Sequence, residues 1–391
     1  MAPDKSHIHF ALMSWAYWTG RKKIIDEVAG NSACFLKGKP IAVKELFLRL
    51  AGGLFSPPSA DDCGILNNFS TPFSDAIYQQ ISEFLDVPSK PFWPDNRPCA
   101  FIFSCDIDRI HLTYQDIWAH LFNREFKSSW LSFMEFLKRC TGDKTNDPYR
   151  NLNRILEKEN EWGIRSVIFI LKEKRRLTQL LRFRPQHFFG VYHPAEITEE
   201  LGALKNKGDE LALHVSFDGF FSAKALREEK RYMEAIWPVT IKGARTHYLN
   251  FSKNTPELLI KEGFSYDSSM GFNFNNGFRC GTAFPFVLYA GGPRLLWEIP
   301  LHIMDTALMY QERNADNADG PEQNCFSLLD HIKTSQGMLV VNWHQRHFNE
   351  TREPRYFDLL QSMILRLKKE GAWITTPGAL LQWWFAERPA R

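Results

Sequence analysis

The segment Cys99–Ile110, with the sequence CAFIFSCDIDRI, runs an apolar stretch directly into two aspartates that are separated by one residue. A continuous apolar run bounded by polar residues is typical of a strand that is covered on both faces of a parallel sheet. One aspartate at the end of such a strand is an ordinary turn residue. The pair Asp106 and Asp108, followed directly by Arg109, therefore indicates either a strand-end turn or part of an active site.

After this segment the chain alternates between strand-like runs and amphipathic stretches with helical spacing. Repeated strand–helix units predict an α/β fold with a largely parallel sheet, either a barrel or an open sheet. Further strands are predicted at Arg165–Leu171, Glu210–Ser216, Phe264–Ser269, Leu295–Pro300, Gly337–His344 and Ala372–Thr376. Helices are predicted within His193–Glu210, Ser222–Trp237, Thr255–Gly263, Ser327–Gly337, Tyr356–Gly371 and Pro377–Glu387, several of them stopping at a glycine.

A proline-rich stretch precedes the first strand. Pro88, Pro91, Pro94 and Pro98 leave few backbone amides for a helix or a central strand, so this stretch is predicted to be a linker. We therefore expect residues 1–95 to form an N-terminal accessory region of unclear fold. Residues 96–391 are expected to form the main domain, with a helical insertion at about 113–160.

Composition restricts the possible classes of protein. The 391 residues carry a net charge of only +3, which does not predict binding to nucleic acid or to an anionic membrane. No apolar run approaches the roughly 20 residues that span a bilayer. No export signal is apparent at the N-terminus, and the seven cysteines form no CxxC pair. We expect a cytoplasmic protein without a transmembrane segment or a thiolate zinc cluster; the oligomeric state stays open.

Residues with catalytic chemistry recur where the predicted strands end. The carboxyl ends of parallel strands converge on one face, so these side chains are expected to meet there. Carboxylates and imidazoles can hold a divalent ion, and a further carboxylate and histidine can transfer protons, which favours metal-assisted hydrolysis. Neither a GxSxG elbow nor a P-loop is present. The residues are Asp106 and Asp108, then His214 with Ser216 and Asp218, then Arg245 with His247, Asp267, and His344.

These motifs, in this order, resemble the NodB-homology polysaccharide deacetylases over about Cys99–Trp384. The segments SCDIDRI and ELALHVS are similar to the first two motifs of that family, and YDSSMGFNFNNGFRCGTAFPF resembles a subgroup found among bacterial surface-polysaccharide genes. The resemblance implies a distorted (β/α) barrel and a metal-dependent carbohydrate esterase. Such an enzyme removes an acyl group, N-acetyl by this resemblance, from a saccharide or polysaccharide precursor.

The same resemblance implies a role for each motif residue. Asp106 corresponds to the catalytic base, with Arg245 beside it. Asp108 and His214 correspond to metal ligands. His344 corresponds to the general acid, and Asp267 to the aspartate that orients it.

Two positions depart from the family pattern and leave the third metal ligand open. Asp218 stands where the second motif usually has a histidine, and His247 stands where the third motif usually has a proline. Either side chain can bind zinc, and a second imidazole slightly favours His247. The expected metal is Zn²⁺, with Co²⁺ or Ni²⁺ as alternatives.

Other interpretations stay open at this stage. The altered motifs also fit a catalytically silent saccharide-binding protein, and the same site also fits hydrolysis of a non-peptide C–N bond in a small amide. His347, beyond the last strand, is expected in solvent or at the rim of the site. The basic segment Lys172–His187 is expected to be a solvated face, with a binding surface for anionic glycans as the alternative.

Overall fold

The computed structural model describes residues 93–112, 149–173, 192–252, 254–289, 294–314 and 320–386, with isolated positions between 130 and 147. Nearly all of the predicted accessory region 1–95, most of the insertion and most of the basic segment lie outside the described residues, so the predicted domain boundary stays a prediction. The chain divides into two compact units. The first comprises residues 1–102, 248–341 and 367–391, and the second comprises 103–247 and 342–366.

The described residues form strands and helices in regular alternation. In chain order the strands are β1 (Ala100–Ile107), β2 (Ser166–Leu171), β3 (Glu210–Val215), β4 (Gly243–Thr246), β5 (Tyr266–Asp267), β6 (Phe286–Tyr289), β7 (Leu296–Glu298), β8 (Ile303–Met304), β9 (Met338–Asn342) and β10 (Trp373–Ile374). The helices are α1 (Leu152–Trp162), α2 (Thr198–Lys207), α3 (Phe217–Phe221), α4 (Ala223–Ile236), α5 (Thr255–Lys261), α6 (Asp305–Asn314), α7 (Pro321–Ser335), α8 (Pro354–Lys369) and α9 (Pro377–Ala386).

The second unit is built on parallel strands in the order β4-β3-β2-β1. Every residue of β1 and β2 is buried, which explains why both strands are continuous apolar runs rather than alternating ones. The predicted α/β class with a largely parallel sheet is confirmed. The register pairs His214 of β3 with Arg245 of β4, so two residues of different motifs stand side by side.

Aromatic side chains fill the space between the sheet and the helices of the second unit. Phe348 lies 6.5 Å from Phe103 on β1 and 5.8 Å from Trp162 on α1, measured between ring centroids. Phe357 on α8 contacts both Trp162 and Phe348. Rings of this size bury large apolar areas, so this cluster fixes α1 and α8 against β1.

The first unit contains β5 and β7 as a parallel pair, and β6 runs antiparallel to β7. β10 runs parallel to the first residues of β1. Trp93, which is buried, lies within about 6 Å of the rings of Trp373, Trp383 and Trp384. The C-terminal tryptophans of this unit therefore pack on one another and on the residue that precedes the first strand.

The structure contains short elements that the sequence did not predict. β4 has only four residues, GART, and lacks the apolar run of the other strands. β6 and β8 are also short, and α6 follows β8 directly. Hydrophobic periodicity needs a longer window than these elements offer, so they were missed. Within the described residues, no helix combines the length and the apolar character needed to cross a membrane.

Helix ends follow local backbone rules. α1 and α2 stop at Gly163 and Gly208, which adopt the left-handed conformation with φ of 62° and 105°. α7 ends differently, because Gln336 takes the left-handed position with φ of 55°. Gly337 serves another purpose there: a Cβ atom on it would lie 2.5 Å from Cβ of Ala283. A glycine is therefore required by close packing rather than by helix termination.

We expect Gly337→Ala to lower the unfolding free energy by roughly 1–3 kcal/mol, because the added methyl group has no space beside Ala283. The matched control is Gly202→Ala in α2, where an added Cβ has no atom within 4 Å. That substitution should be neutral or stabilise the helix by up to about 1 kcal/mol. Thermal unfolding followed by circular dichroism checks both; equal midpoints for Gly337→Ala and the wild type would contradict the packing argument.

Candidate active site

Residues of the first, second, third and last motifs meet within the second unit. Asp106 and Asp108 lie at the end of β1, His214 near the end of β3, Arg245 on β4, and His344 two residues after β9. The parallel register brings these strand ends to the same edge.

The Asp106 carboxylate is held from both sides by buried hydrogen-bond donors. Nη1 of Arg245 donates to Oδ1 at 2.7 Å, and Nδ2 of Asn342 donates to Oδ2 at 2.9 Å. Ser104 closes the ring: its hydroxyl accepts from Arg245 at 3.0 Å and donates to Oδ1 of Asn342 at 3.3 Å. Ser104 and Asn342 were not predicted as site residues. Ser104 lies on β1 and Asn342 on β9, and both strands are buried. A polar side chain within an apolar strand was the sequence signal that could have identified them.

Arg245 is fully buried, and its guanidinium carbon lies 4.1 Å from the ring centroid of Phe169 on β2. An aromatic face stabilises a cation that has left water. The charge of Arg245 is therefore compensated by Asp106 on one side and by a π surface on another.

Asp108, His214 and His247 form a second, adjacent cluster. One ligand atom of each residue lies within 4.8 Å of the others. Among the described residues, this is the group of His, Cys, Asp or Glu side chains that lie close enough together to hold a metal ion. Oδ1 of Asp108 lies 3.2 Å from Nε2 of His214 and 3.7 Å from Nε2 of His247. The two imidazole rings lie 5.0 Å apart.

The orientation of His214 is set by the backbone of the neighbouring strand. Its Nδ1 lies 2.9 Å from the carbonyl oxygen of Arg245, and a carbonyl can only accept, so Nδ1 carries the proton. Nε2 therefore presents its lone pair towards Asp108 in the neutral ring. This is the usual arrangement of a metal-binding histidine, with the second ring nitrogen fixed by a hydrogen bond.

Charges around Asp108 and His214 stabilise the ionised forms of both. Burial alone favours the neutral acid, but His344, His214, His247 and Arg346 outweigh it and hold the pKa of Asp108 well below its usual value. Burial likewise favours neutral His214, yet the negative charges of Asp106 and Asp108 raise its pKa above the ordinary value. A cation in place of these protons would satisfy the same negative charge.

The backbone turns sharply directly after His247. Tyr248 and Leu249 adopt the left-handed conformation with φ of 59° and 52°, which is uncommon for residues other than glycine. Such conformations cost about 1–3 kcal/mol each and cluster at functional sites. The turn begins directly after His247, whose imidazole lies 5.0 Å from that of His214.

His344 and Arg346 approach Asp108 from the segment after β9. Nε2 of His344 lies 3.3 Å from Oδ2 of Asp108, and Nη1 of Arg346 donates to the same oxygen at 2.9 Å. Arg346 was missed because an arginine after a strand has no distinctive spacing. His347, predicted at the rim, is partly buried and hydrogen-bonded to Glu353.

Asp218 and Asp267 are placed differently from the residues above. Asp218 lies in the first turn of α3 and is not part of the group formed by Asp108 and the two histidines. Asp267 belongs to the first unit, where it accepts a hydrogen bond from the Ser269 hydroxyl at 2.8 Å and pairs in register with Glu298. The orienting role of Asp267 towards His344 stays a prediction.

The donor set fits a divalent cation. Oδ1 of Asp108 is buried and accepts no hydrogen bond, although it faces two imidazole nitrogens. The lone pairs of Oδ1 of Asp108 and of Nε2 of neutral His214 repel each other unless a proton or a cation lies between them. Zn²⁺ binds nitrogen and oxygen ligands at about 2.0–2.2 Å, which a cluster of this spacing can provide.

Comparisons with known proteins agree with the fold. The sequence matches no protein-family model, and no curated protein matches it. A probable polysaccharide deacetylase from Pseudomonas aeruginosa PAO1 has a similar structure, with a TM-score of 0.52 at 14% identity, covering 79% of this chain and 98% of that one. The structure of Puue allantoinase gives a TM-score of 0.51 at 16% identity, covering 76% and 94%.

These likenesses confirm the predicted fold, the (β/α) barrel type of the polysaccharide deacetylases. At this level of identity they bear on the fold alone. The chemistry of this chain has to be argued from its own residues.

A buried acid next to the site makes a testable contribution to stability. Glu229 on α4 accepts hydrogen bonds from the backbone N–H and the hydroxyl of Ser216. Burial raises the pKa of Glu229 from 4.5 to about 7, despite those hydrogen bonds. The folded state therefore holds the proton more tightly than the unfolded state. The resulting stabilisation is complete below pH 4.5 and is lost as the pH rises through about 7.

We expect the unfolding free energy of Glu229→Gln, taken relative to that of the wild type, to increase by about 3 kcal/mol between pH 4.5 and pH 7.5. Urea unfolding at both pH values measures this change. Glu228→Gln is the matched control, since the adjacent residue carries the same charge but is exposed. Parallel pH dependence of the wild type and Glu229→Gln would show that Glu229 titrates normally.

Proposed function

We propose that the protein is a metal-dependent hydrolase that removes an acyl group, most simply N-acetyl, from a saccharide or saccharide precursor. One observation carries the proposal: the three potential ligand atoms of Asp108, His214 and His247 adjoin the buried Asp106–Arg245 pair. Nε2 of His214 lies 3.9 Å from Oδ2 of Asp106, so the potential metal ligands and the ion pair are directly adjacent. A ligand set beside a separate carboxylate is what hydrolysis with a metal and a general base requires.

Asp108, His214 and His247 are the proposed ligands. The geometry favours His247 over Asp218 as the third, because His247 reaches the shared oxygen of Asp108 and Asp218 is not part of that group. One carboxylate and two imidazoles suit Zn²⁺ and leave coordination positions open, and the same donors accept Co²⁺ or Ni²⁺. When bound, such an ion polarises a carbonyl oxygen and lowers the pKa of a coordinated water.

Asp106 is proposed to take the proton from the attacking water. Each of its oxygens accepts a single hydrogen bond from a fixed donor, Arg245 or Asn342, which leaves a lone pair on each for a water proton. The hydrogen bond from Nη1 of Arg245 also fixes the orientation of the carboxylate.

His344 is proposed to protonate the leaving amine or alcohol. Its imidazole lies at the Oδ2 side of Asp108, whereas the two proposed histidine ligands lie at Oδ1. A histidine outside the ligand set keeps a nitrogen for proton transfer. We carry over from the family resemblance the further proposal that Asp267 orients His344.

The saccharide part of the proposal rests on the motifs and on the polysaccharide deacetylase whose fold this chain shares. The equally similar fold of an allantoinase favours, as a second candidate, hydrolysis of a C–N bond in a small amide. Acetate release from N-acetylated and O-acetylated sugars, compared with ring opening or hydrolysis of small amides and ureides, separates the two. If only the amide panel is hydrolysed, the proposed substrate changes from a saccharide to a small amide.

The ligand assignment predicts that His247→Ala weakens Zn²⁺ binding at least 10-fold, because it removes one of three protein ligands. Asp218→Asn is the matched control: it removes a carboxylate on the neighbouring helix α3 and should leave metal binding unchanged. Competition with a chromophoric chelator measures both affinities. The reverse pattern, loss in Asp218→Asn alone, would make Asp218 the ligand instead.

The base assignment predicts that Asp106→Asn lowers kcat for acetate release by at least about 100-fold while the stoichiometry of bound metal is retained. Asparagine keeps the shape of the side chain but has no basic oxygen, so chemistry should be lost selectively. Metal analysis and turnover are measured on the same preparation. A variant with metal and undiminished kcat would remove Asp106 from the mechanism.

A further inference from the structure

Arg346 belongs to a chain of polar side chains that starts at Asp108 and ends at Glu353. Nη1 of Arg346 donates to Oδ2 of Asp108 at 2.9 Å, and Nε of Arg346 donates to Nε2 of His347 at 3.1 Å. Nδ1 of His347 lies 2.7 and 2.8 Å from the two carboxylate oxygens of Glu353. All four residues belong to the second unit.

The donors and acceptors of this chain have one consistent assignment. Arg346 can only donate, so Nε2 of His347 accepts and has no proton. Nδ1 of His347 then carries the proton and donates to Glu353. Nε of the guanidinium is thus hydrogen-bonded to His347, which is itself held by Glu353. Nη1 of the same guanidinium is hydrogen-bonded to Asp108. The side chain of Arg346 is 13% exposed, so water competes little for these donors.

Arg346 makes the two oxygens of Asp108 different. Oδ2 lies near the cationic or donor groups of Arg346 and His344, at 2.9 and 3.3 Å. Oδ1 accepts no hydrogen bond and faces His214 and His247. A carboxylate that is free to rotate can bind a metal through either oxygen or both, whereas one held at Oδ2 offers a single oxygen.

We propose that Arg346, aligned by His347 and Glu353, is a positioning residue that fixes Asp108 as a one-oxygen metal ligand. This inference rests on the metal site proposed above. Arg346 has two opposite effects on the affinity of the site for a metal ion. A guanidinium near a metal ligand repels the incoming cation, but it also removes the rotational freedom of the ligand before binding. We infer that alignment outweighs repulsion, because the guanidinium contacts the oxygen that faces away from the two imidazoles.

The test compares Zn²⁺ and Co²⁺ binding in the wild type, Arg346→Gln, Arg346→Lys and Glu353→Ala. Arg346→Gln should bind Zn²⁺ about 10–100-fold more weakly, as is typical when an outer residue that orients a ligand is removed. Arg346→Lys keeps the charge but lacks the planar fork that spans Asp108 and His347, so it should also weaken binding. Glu353→Ala leaves Arg346 in place and should give a smaller loss in the same direction.

Two further readouts separate alignment from general damage to the fold. The visible spectrum of the Co²⁺ form reports coordination number, and a second oxygen of Asp108 entering the coordination sphere in Arg346→Gln should weaken the absorption bands. Arg154→Gln is the matched control, since Arg154 also pairs with a carboxylate of this unit, that of Glu350 at 2.7 Å. It should bind metal like the wild type. Thermal midpoints of the metal-free proteins identify any variant that fails to fold.

The outcomes are distinct. Zn²⁺ binding by Arg346→Gln that equals or exceeds that of the wild type would overturn the alignment role, because repulsion would then dominate. Normal binding by Arg346→Lys together with loss in Arg346→Gln would overturn the alignment by His347 and Glu353, because any cationic side chain that holds Asp108 would then suffice. A wild-type protein that binds neither Zn²⁺ nor Co²⁺ would instead refute the proposed metal site itself.

Discussion

The buried ion pair between Arg245 and Asp106 is the constraint on which the rest of the candidate site depends. Transferring either charge out of water is costly, and removing one partner of such a pair typically costs about 3–5 kcal/mol. The protein offsets this cost with the hydroxyl of Ser104, the amide of Asn342 and the ring of Phe169. These groups come from β1, β2 and β9, so the pair can form only when the strands are correctly in register.

The same register determines the neighbouring cluster. Arg245 stands beside His214, and its backbone carbonyl orients that imidazole while its side chain holds Asp106. One residue therefore links the proposed base to the proposed metal ligands through two different groups. A shift of β4 by one residue would turn Arg245 to the other face of the sheet. Its contacts with Asp106 and with His214 would then both be lost.

Much of this arrangement could be predicted from the sequence, for identifiable reasons. The apolar runs of β1, β2, β3 and β9 are long, so their ends, and the acids and histidines at those ends, were located directly. β4 was not predicted as a strand, although Arg245 and His247 were singled out as residues. The choice between His247 and Asp218 depends on distances between side chains that lie far apart along the chain, and local spacing does not indicate them.

The network around Arg346 shows a different limit of sequence reasoning. Arg346 lies 238 residues from Asp108 along the chain, so no local spacing indicates their contact. Ser104 and Asn342 are similar cases: each is one polar residue in an apolar strand, and only the paired strands show that they share a partner. Long-range hydrogen bonds of this kind become visible only when the topology is known.

Partner charges, rather than burial alone, distinguish the acids of the site from those of the surrounding scaffold. Burial favours the protonated form of Asp108, Glu229 and Glu298 alike. Asp108 has three histidines and an arginine beside it, and these lower its pKa well below the usual value. For Glu229 burial outweighs the hydrogen bonds from Ser216, and its pKa rises to about 7. For Glu298 burial, together with the charge of Asp267, raises the pKa well above the ordinary value. Two of the histidines beside Asp108, His214 and His247, carry the nitrogen atoms that are proposed to bind the metal. Glu229 and Glu298 belong to no such group among the described residues, so the cluster at Asp108 is the candidate metal centre.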